Sequence, residues 1–176
     1  MEKKDISYEY FKNEDILIYG KYREYVDALW THNKIQESLF ERLVDLYAVA
    51  AVIGLRIGRK LPNDSSGEKR TIPLSVISGE YIRLRNIMQV ILILDESRAL
   101  SEEDRIKMAF DNMPKDKETY TANMELFHSY ARGGLEYLYQ ELILRPTDID
   151  DMYTDSRIAN IIALVNNPLV KDVEQI

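Results

Sequence analysis

Residues 126–138 read LFHSYARGGLEYL. The frame is helical, since Phe127, Tyr130, Ala131, Leu135 and Leu138 recur at the steps of an amphipathic helix, yet Gly133 and Gly134 stand together in its middle. Each glycine costs a helix interior ~1 kcal/mol relative to alanine, so the pair needs a reason. On a 3.6-residue period Gly134 shares the stripe of Phe127, Ala131, Leu138 and Leu142, the packing face, where a missing side chain lets another backbone come close. Gly133 lies beside it with Tyr130 and Tyr137. Two readings follow. The glycines accommodate another helix of the same chain, or Tyr130, Gly133, Gly134 and Tyr137 form a notch that binds a partner.

The strongest helix elsewhere is FERLVDLYAVAAVIGLRI, residues 40–57. It is apolar almost all round from Val49 to Leu55, as a central helix covered on most sides would be. Before it, Tyr22, Tyr25, Val26, Leu29 and Trp30 set an amphipathic helix from Lys21 to about Asn33. Residues 1–20 read as coil with a short strand or helix near Ile16 to Tyr19. Ser78 is the expected N-cap of a helix lined by Leu84, Ile87, Met88, Ile91 and Leu94 and ending near Ser97. Ser101 and Asp104 form a capping pair for a short helix carrying Ile106, Ala109, Phe110 and Met113, which Pro114 stops. Thr119 or Thr121 opens the glycine helix, and Pro146 breaks it after Arg145. An acidic loop, TDIDDMYTD, precedes a last amphipathic helix with Ile158, Ile161, Ile162 and Val165. Only Thr71 to Ile77 shows anything of an alternating strand pattern. The expected fold is mainly α: a single compact domain of about six helices, with a basic loop after the central helix. Its parts are an amino-terminal extension (1–38), a helical core (39–145) and an acidic linker with a terminal helix (146–176).

The 176 residues suffice for one domain with a substantial core. A net charge of −7 argues against general nucleic-acid binding as the main role. There is no cysteine, which removes disulfides, thiolate metal sites and Cys-His nucleophiles. The opening MEKKDISYEYFKNED has no apolar core for a secretory signal, and the greasy runs near 43–55 and 87–94 fall short of the ~20 apolar residues of a membrane span. A cytoplasmic protein without a membrane partner is the expectation.

Catalytic signals are weak. His32 and His128 belong to no metal-binding spacing, and no serine sits in a G-x-S-x-G elbow. GLRIGRK, Gly54 to Lys60, has three residues between its glycines where a phosphate loop needs four, and Leu61 where it needs Ser or Thr. VILILDES, Val90 to Ser97, resembles a magnesium-binding strand but continues a helical period, which makes Asp95 and Glu96 the solvated end of a core helix. A metal-dependent nuclease would have to bring Asp64, Glu68 or Asp95 into one cleft. Asp148, Asp150, Asp151 and Asp155 lack the glycine turn and terminal glutamate of a calcium loop. No catalytic residue, metal site or cofactor is implied. The basic cluster Arg56, Arg59, Lys60, Lys69 and Arg70 surrounds the turn-rich stretch Pro62 to Gly67, which reads as exposed and mobile. Its cations either complement the dipole at the end of the central helix or form a patch for a phosphate backbone or an acidic partner.

Two stretches together resemble a known family. LFERLVDLYAVAAVIGLRIGRKLP (39–62) and LFHSYARGGLEYLYQELI (126–143) look like the paired signatures of small proteins encoded beside bacterial DNA-phosphorothioation (Dnd) modification and restriction genes. Phe40, Asp45, Ala50, Ala51, Gly54, Arg59, Lys60 and Pro62 match the first signature, and Phe127, Tyr130, Ala131, Gly133, Gly134 and Leu135 the second. The resemblance implies an accessory component of a DNA-modification or antiphage island and supplies no catalytic residue. The leading expectation is a non-enzymatic accessory subunit that docks onto a larger protein of the same cassette. The alternative is a DNA-contacting module that uses the basic loop 56–70.

Overall fold

A computed structural model describes residues 8–30, 38–111, 114–145 and 156–166. Among them the fold is mainly α, as expected, with seven α-helices, one π-helical turn and two short strands. Strand β1 (Ile16–Tyr19) pairs with β2 (Lys69–Ile72). The described residues pack as two units, one drawn from 1–17 and 71–128 and the other from 18–70 and 129–176.

In the 18–70 and 129–176 unit, helix α1 (Gly20–Leu29) buries Tyr22, Val26 and Leu29. Gly20 has φ +56°, a left-handed conformation that glycine adopts without penalty. Tyr19 offers no side-chain cap, and the free N-terminus of α1 is satisfied from far along the chain. Asp64 Oδ2 accepts the Lys21 N–H at 3.0 Å, and Asp64 Oδ1 accepts the Ser66 N–H at 3.0 Å and the Ser66 hydroxyl at 2.6 Å. The Ser66 hydroxyl first, then the Lys21 and Ser66 N–H groups, hold the Asp64 carboxyl below its ordinary value. The same loop is tied down elsewhere. Tyr22 donates to Pro62 O at 2.8 Å, Leu61 N–H to Ser129 O at 3.0 Å and Arg132 Nε to Leu61 O at 2.9 Å. The stretch expected to be mobile is therefore fastened between Leu61 and Ser66 by groups from two helices.

Helix α2 (Leu43–Arg56) buries Leu43, Val44, Leu46, Tyr47, Ala48, Ala50, Ala51 and Gly54. Val49 and Val52 are exposed, so the expected cover on most sides is corrected to cover on one broad face. The glycine helix α6 (Lys117–Tyr139) runs into a π-helical turn (Gln140–Leu144), and α7 (Ser156–Asn166) packs on that turn. Asn160 of α7 is buried and donates to Leu142 O at 3.2 Å.

In the other unit, α3 (Leu74–Gly79), α4 (Tyr81–Leu94) and α5 (Glu102–Phe110) join the first part of α6. Ser78 is not the expected N-cap. It lies inside α3, where its hydroxyl donates back to Leu74 O at 2.8 Å, an alternative always open to a helical serine. The helix it was expected to cap, α4, starts behind Glu80 with no side-chain cap, while the N-terminus of α3 is met by Asp15, whose Oδ1 accepts the Leu74 N–H at 2.7 Å. The Ser101 and Asp104 pair forms as expected: Ser101 Oγ accepts the Asp104 N–H at 3.1 Å and donates to Asp104 Oδ2 at 2.7 Å. The long helix starts at Lys117, ahead of both expected threonines, because Asp116 Oδ1 accepts the Thr119 N–H at 2.7 Å and lowers its own pKa in doing so. The core contains Phe11, Ile72, Ile77, Leu84, Met88, Ile91, Leu92 and Phe127. Phe11 and Phe127 meet edge to face at 4.9 Å.

Candidate functional site

The glycine helix meets α2 backbone to backbone. A Cβ on Gly134 would lie 2.5 Å from the carbonyl carbon of Ala50 and closer still to its oxygen. One on Gly54 would lie 2.7 Å from the carbonyl carbon of Tyr130, and one on Gly133 would lie 2.7 Å from that of Arg59. Three glycines thus bring two backbones together, with Ala50, Ala51 and Ala131 fully buried at the same seam. The space over the pair is filled by the chain itself, and the in-chain packing reading accounts for Gly133 and Gly134. Of the four residues expected to receive a partner, Tyr130, Gly133 and Gly134 are buried and only Tyr137 is partly open.

The five expected basic residues divide. Glu136 links Lys21 Nζ at 2.9 Å to Arg59 at 3.7 Å, and Arg59 also donates to Gln140 Oε1 at 3.1 Å and lies over the Tyr137 ring. Lys60 lies over the Tyr130 ring, 5.5 Å from its centroid. Arg70 donates to Asp27 Oδ1 at 2.6 Å, which raises the arginine's pKa, and Arg23 joins the same carboxylate to Glu68. Arg56 and Lys69 stand exposed. Glu136 and Asp27 thus pair with two of the five, Arg59 and Arg70, while each also meets a further cation, Lys21 or Arg23.

The acidic residues considered for metal chemistry have other partners. Asp64 caps α1, and Glu68 meets Arg23 at 3.1 Å. Asp95 is corrected from solvated to buried, at 1% exposure: it accepts from Ser97 at 2.9 Å and lies 3.4 Å from Arg98 Nε. Glu96 is exposed as expected. Among the described residues no three of His, Cys, Asp and Glu converge as metal ligands. His128 is half-buried with its ring edge-on to Phe127, while His32, Asp148, Asp150, Asp151 and Asp155 lie outside the described residues. VILIL is the end of α4, so the strand that a magnesium site would need is absent there.

The sequence reading missed the outer faces of α4 and α5. Along α4, Ile82 is 73% exposed, Val90 47% and Leu94 59%, at positions that share one side of the helix with Asn86. On α5, Phe110 is 64% exposed and Ile106 sits one turn before it. Leu94, expected on the packing face, lies off it: the buried stripe consists of Leu84, Met88, Ile91 and Leu92. The available signal was the run VILIL, apolar all round and so in need of cover on every side.

With this geometry in place, the family described as DNA sulphur modification system-associated protein 4 matches residues 21–155. The chain belongs to that family. The match takes in both resembling stretches, so the α2–α6 seam lies within the family's span. No curated protein and no solved structure matches the chain. Among the described residues no helix is long and apolar enough to cross a membrane.

Proposed function

We propose that this protein is a non-enzymatic accessory subunit of a DNA sulphur modification system, and that it works by docking onto a larger protein of the same cassette, in modification or in defence against phage. The observation that carries the reading is the outward apolar stripe of α4, with Ile82, Val90 and Leu94, together with Phe110 on α5. Burying such surface gains roughly 25 cal/mol per Å², and contiguous apolar exposure on a soluble protein marks interaction sites. Lone exposed leucines need no explanation, but four large side chains on two adjoining helices do. The family's association with a sulphur modification system supports a partner drawn from that cassette.

The test is co-purification from the native cell. Leu94→Asp and Phe110→Asp should leave folding intact and each lower recovery of the neighbouring gene products at least tenfold. Undiminished recovery with the double variant overturns docking through these faces. DNA contact through residues 56–70 draws less support, because Arg59 and Arg70 are already matched by Glu136 and Asp27.

A further inference from the structure

Helix α7 carries its apolar stripe outward. On a 3.6-residue period Ile158, Ile161, Ile162 and Val165 fill one contiguous arc about 100° wide, the stripe that a surface helix ordinarily lays on its own core. All four stand exposed, Val165 by 76%. The opposite arc carries Asn160, buried and bonded to Leu142 O, with Ala163 and Leu164 half-buried beside it. The helix is thus anchored through its polar residue, and its largest apolar surface is left without cover among the described residues. Stability of the single chain would have asked for the reverse.

Charge and symmetry select what covers the stripe. From Ile158 to Asn166 no side chain is charged, in a chain of net charge −7 whose residues are 30% charged. Two copies of this chain repel one another in general, and here they do not. A helix that lies on a membrane surface carries Lys and Arg on its polar face; α7 has Asn160 there, and it follows the acidic run Asp148 to Asp155 in the chain, which anionic headgroups repel. The stripe is also self-complementary. Ile161 and Ile162 lie either side of its midpoint, with Ile158 and Val165 equally far out, so the row reads alike in both directions. That is what a two-fold interface requires, since the same patch must serve both copies.

We propose that α7 pairs antiparallel with α7 of a second copy of this chain, across a two-fold axis between Ile161 and Ile162. Ile158 of one copy then lies opposite Val165 of the other, and Ile161 opposite Ile162. The antiparallel sense opposes the two helix dipoles and keeps the acidic runs that precede the helices at opposite ends of the pair. Four partly exposed side chains on each copy fall short of the ~1,200 Å² that a stable interface buries, so the pair is weak, with a dissociation constant on the order of 50 µM. Pairing carries two sets of the α4 and α5 faces in one particle, which raises its hold on any partner with two matching sites. The proposal goes beyond the docking reading and does not depend on it.

The test is sedimentation equilibrium of the full-length chain from about 5 to about 500 µM, a range that brackets this constant. The average mass should climb from that of one chain, 20.6 kDa, toward that of two. Ile162→Asp places a charge at the axis twice over and should stay monomeric throughout, with an unchanged Tm. The chain has no cysteine, so a single one reports the pairing. In the antiparallel pair position 162 lies one residue along the axis from its counterpart, about 1.5 Å, and position 165 lies seven residues away, about 10 Å. Ile162→Cys should therefore form an intermolecular disulfide under mild oxidation and Val165→Cys should not. A single-chain mass at the highest concentration, a dimer retained by Ile162→Asp, or a disulfide at 165 and not at 162 overturns the proposal. So does a monomer that loses several degrees of Tm with Ile162→Asp, which means that this chain covers the stripe itself. A monomer that floats with phosphatidylserine vesicles overturns it in favour of a membrane.

Discussion

The α2–α6 seam and the outer faces of α4 and α5 use opposite residues to opposite ends. At the seam, small residues sit where the chain has brought two backbones together, so a helix tolerates two adjacent glycines. On α4 and α5, large apolar residues stand exposed, with none of the described residues covering them. Small residues in a closed place speak of packing, and large ones in an open place speak of a partner. The glycine pair that interrupts α6 therefore belongs to the packing inside this chain, and the docking surface is sought elsewhere.

The largest expected effect is at the seam. In an open helix Gly→Ala gains up to ~1 kcal/mol, so the sign of the change reports whether the site is filled. Gly134→Ala should destabilise by about 2–3 kcal/mol in chemical denaturation, because the obstacle is the Ala50 backbone, which cannot yield without parting the helices. A stabilised Gly134→Ala would mean an open notch and would restore the partner reading. Gly79 of α3 is the control: a Cβ there meets nothing within 4 Å, and Gly79→Ala should stabilise by about 0.5–1 kcal/mol.

Next comes the cap. Asp64→Ala should lower stability in the same assay, since it removes the acceptor for the Lys21 N–H at the start of α1. The Asp64 pKa is depressed in the folded state, so its contribution is present above the ordinary carboxylate pKa and is lost as pH falls through the folded value. The variant should therefore lose less stability than the wild type on acidification below about pH 4. Equal acid sensitivity would assign the capping to another group. The smallest effects on stability belong to the open faces: Phe110→Asp and Leu94→Asp should stay within about 0.5 kcal/mol of the wild type, since no core contact is lost. A drop of several kcal/mol would place those side chains in the core after all.

Local signals in the sequence were read well. The Ser101 and Asp104 cap spans four residues, and the stripe through Gly134 follows from period alone. What escaped notice was set by partners distant in sequence. Asp64 caps α1 through the N–H of Lys21, 43 positions earlier, and nothing near Asp64 announces it. Gly134 could be placed on a packing face, but not paired with Ala50, because spacing within one helix says nothing of which helix arrives. A serine can cap a helix or bond back within one, and Ser78 does the second: it falls inside α3, and α4 begins at Tyr81 behind Glu80 without a side-chain cap. Asp95 read as solvated since its burial depends on how the segment after α4 folds back with Ser97 and Arg98.

The central claim, that a partner meets the faces of α4 and α5 and not the glycine seam, is tested most directly by placing a photo-cross-linking amino acid at position 110 or at position 137 in the native cell. Cross-links from position 110 to a protein of the modification cassette, with none from 137, are the predicted result. Cross-links from 137 and none from 110 would contradict it.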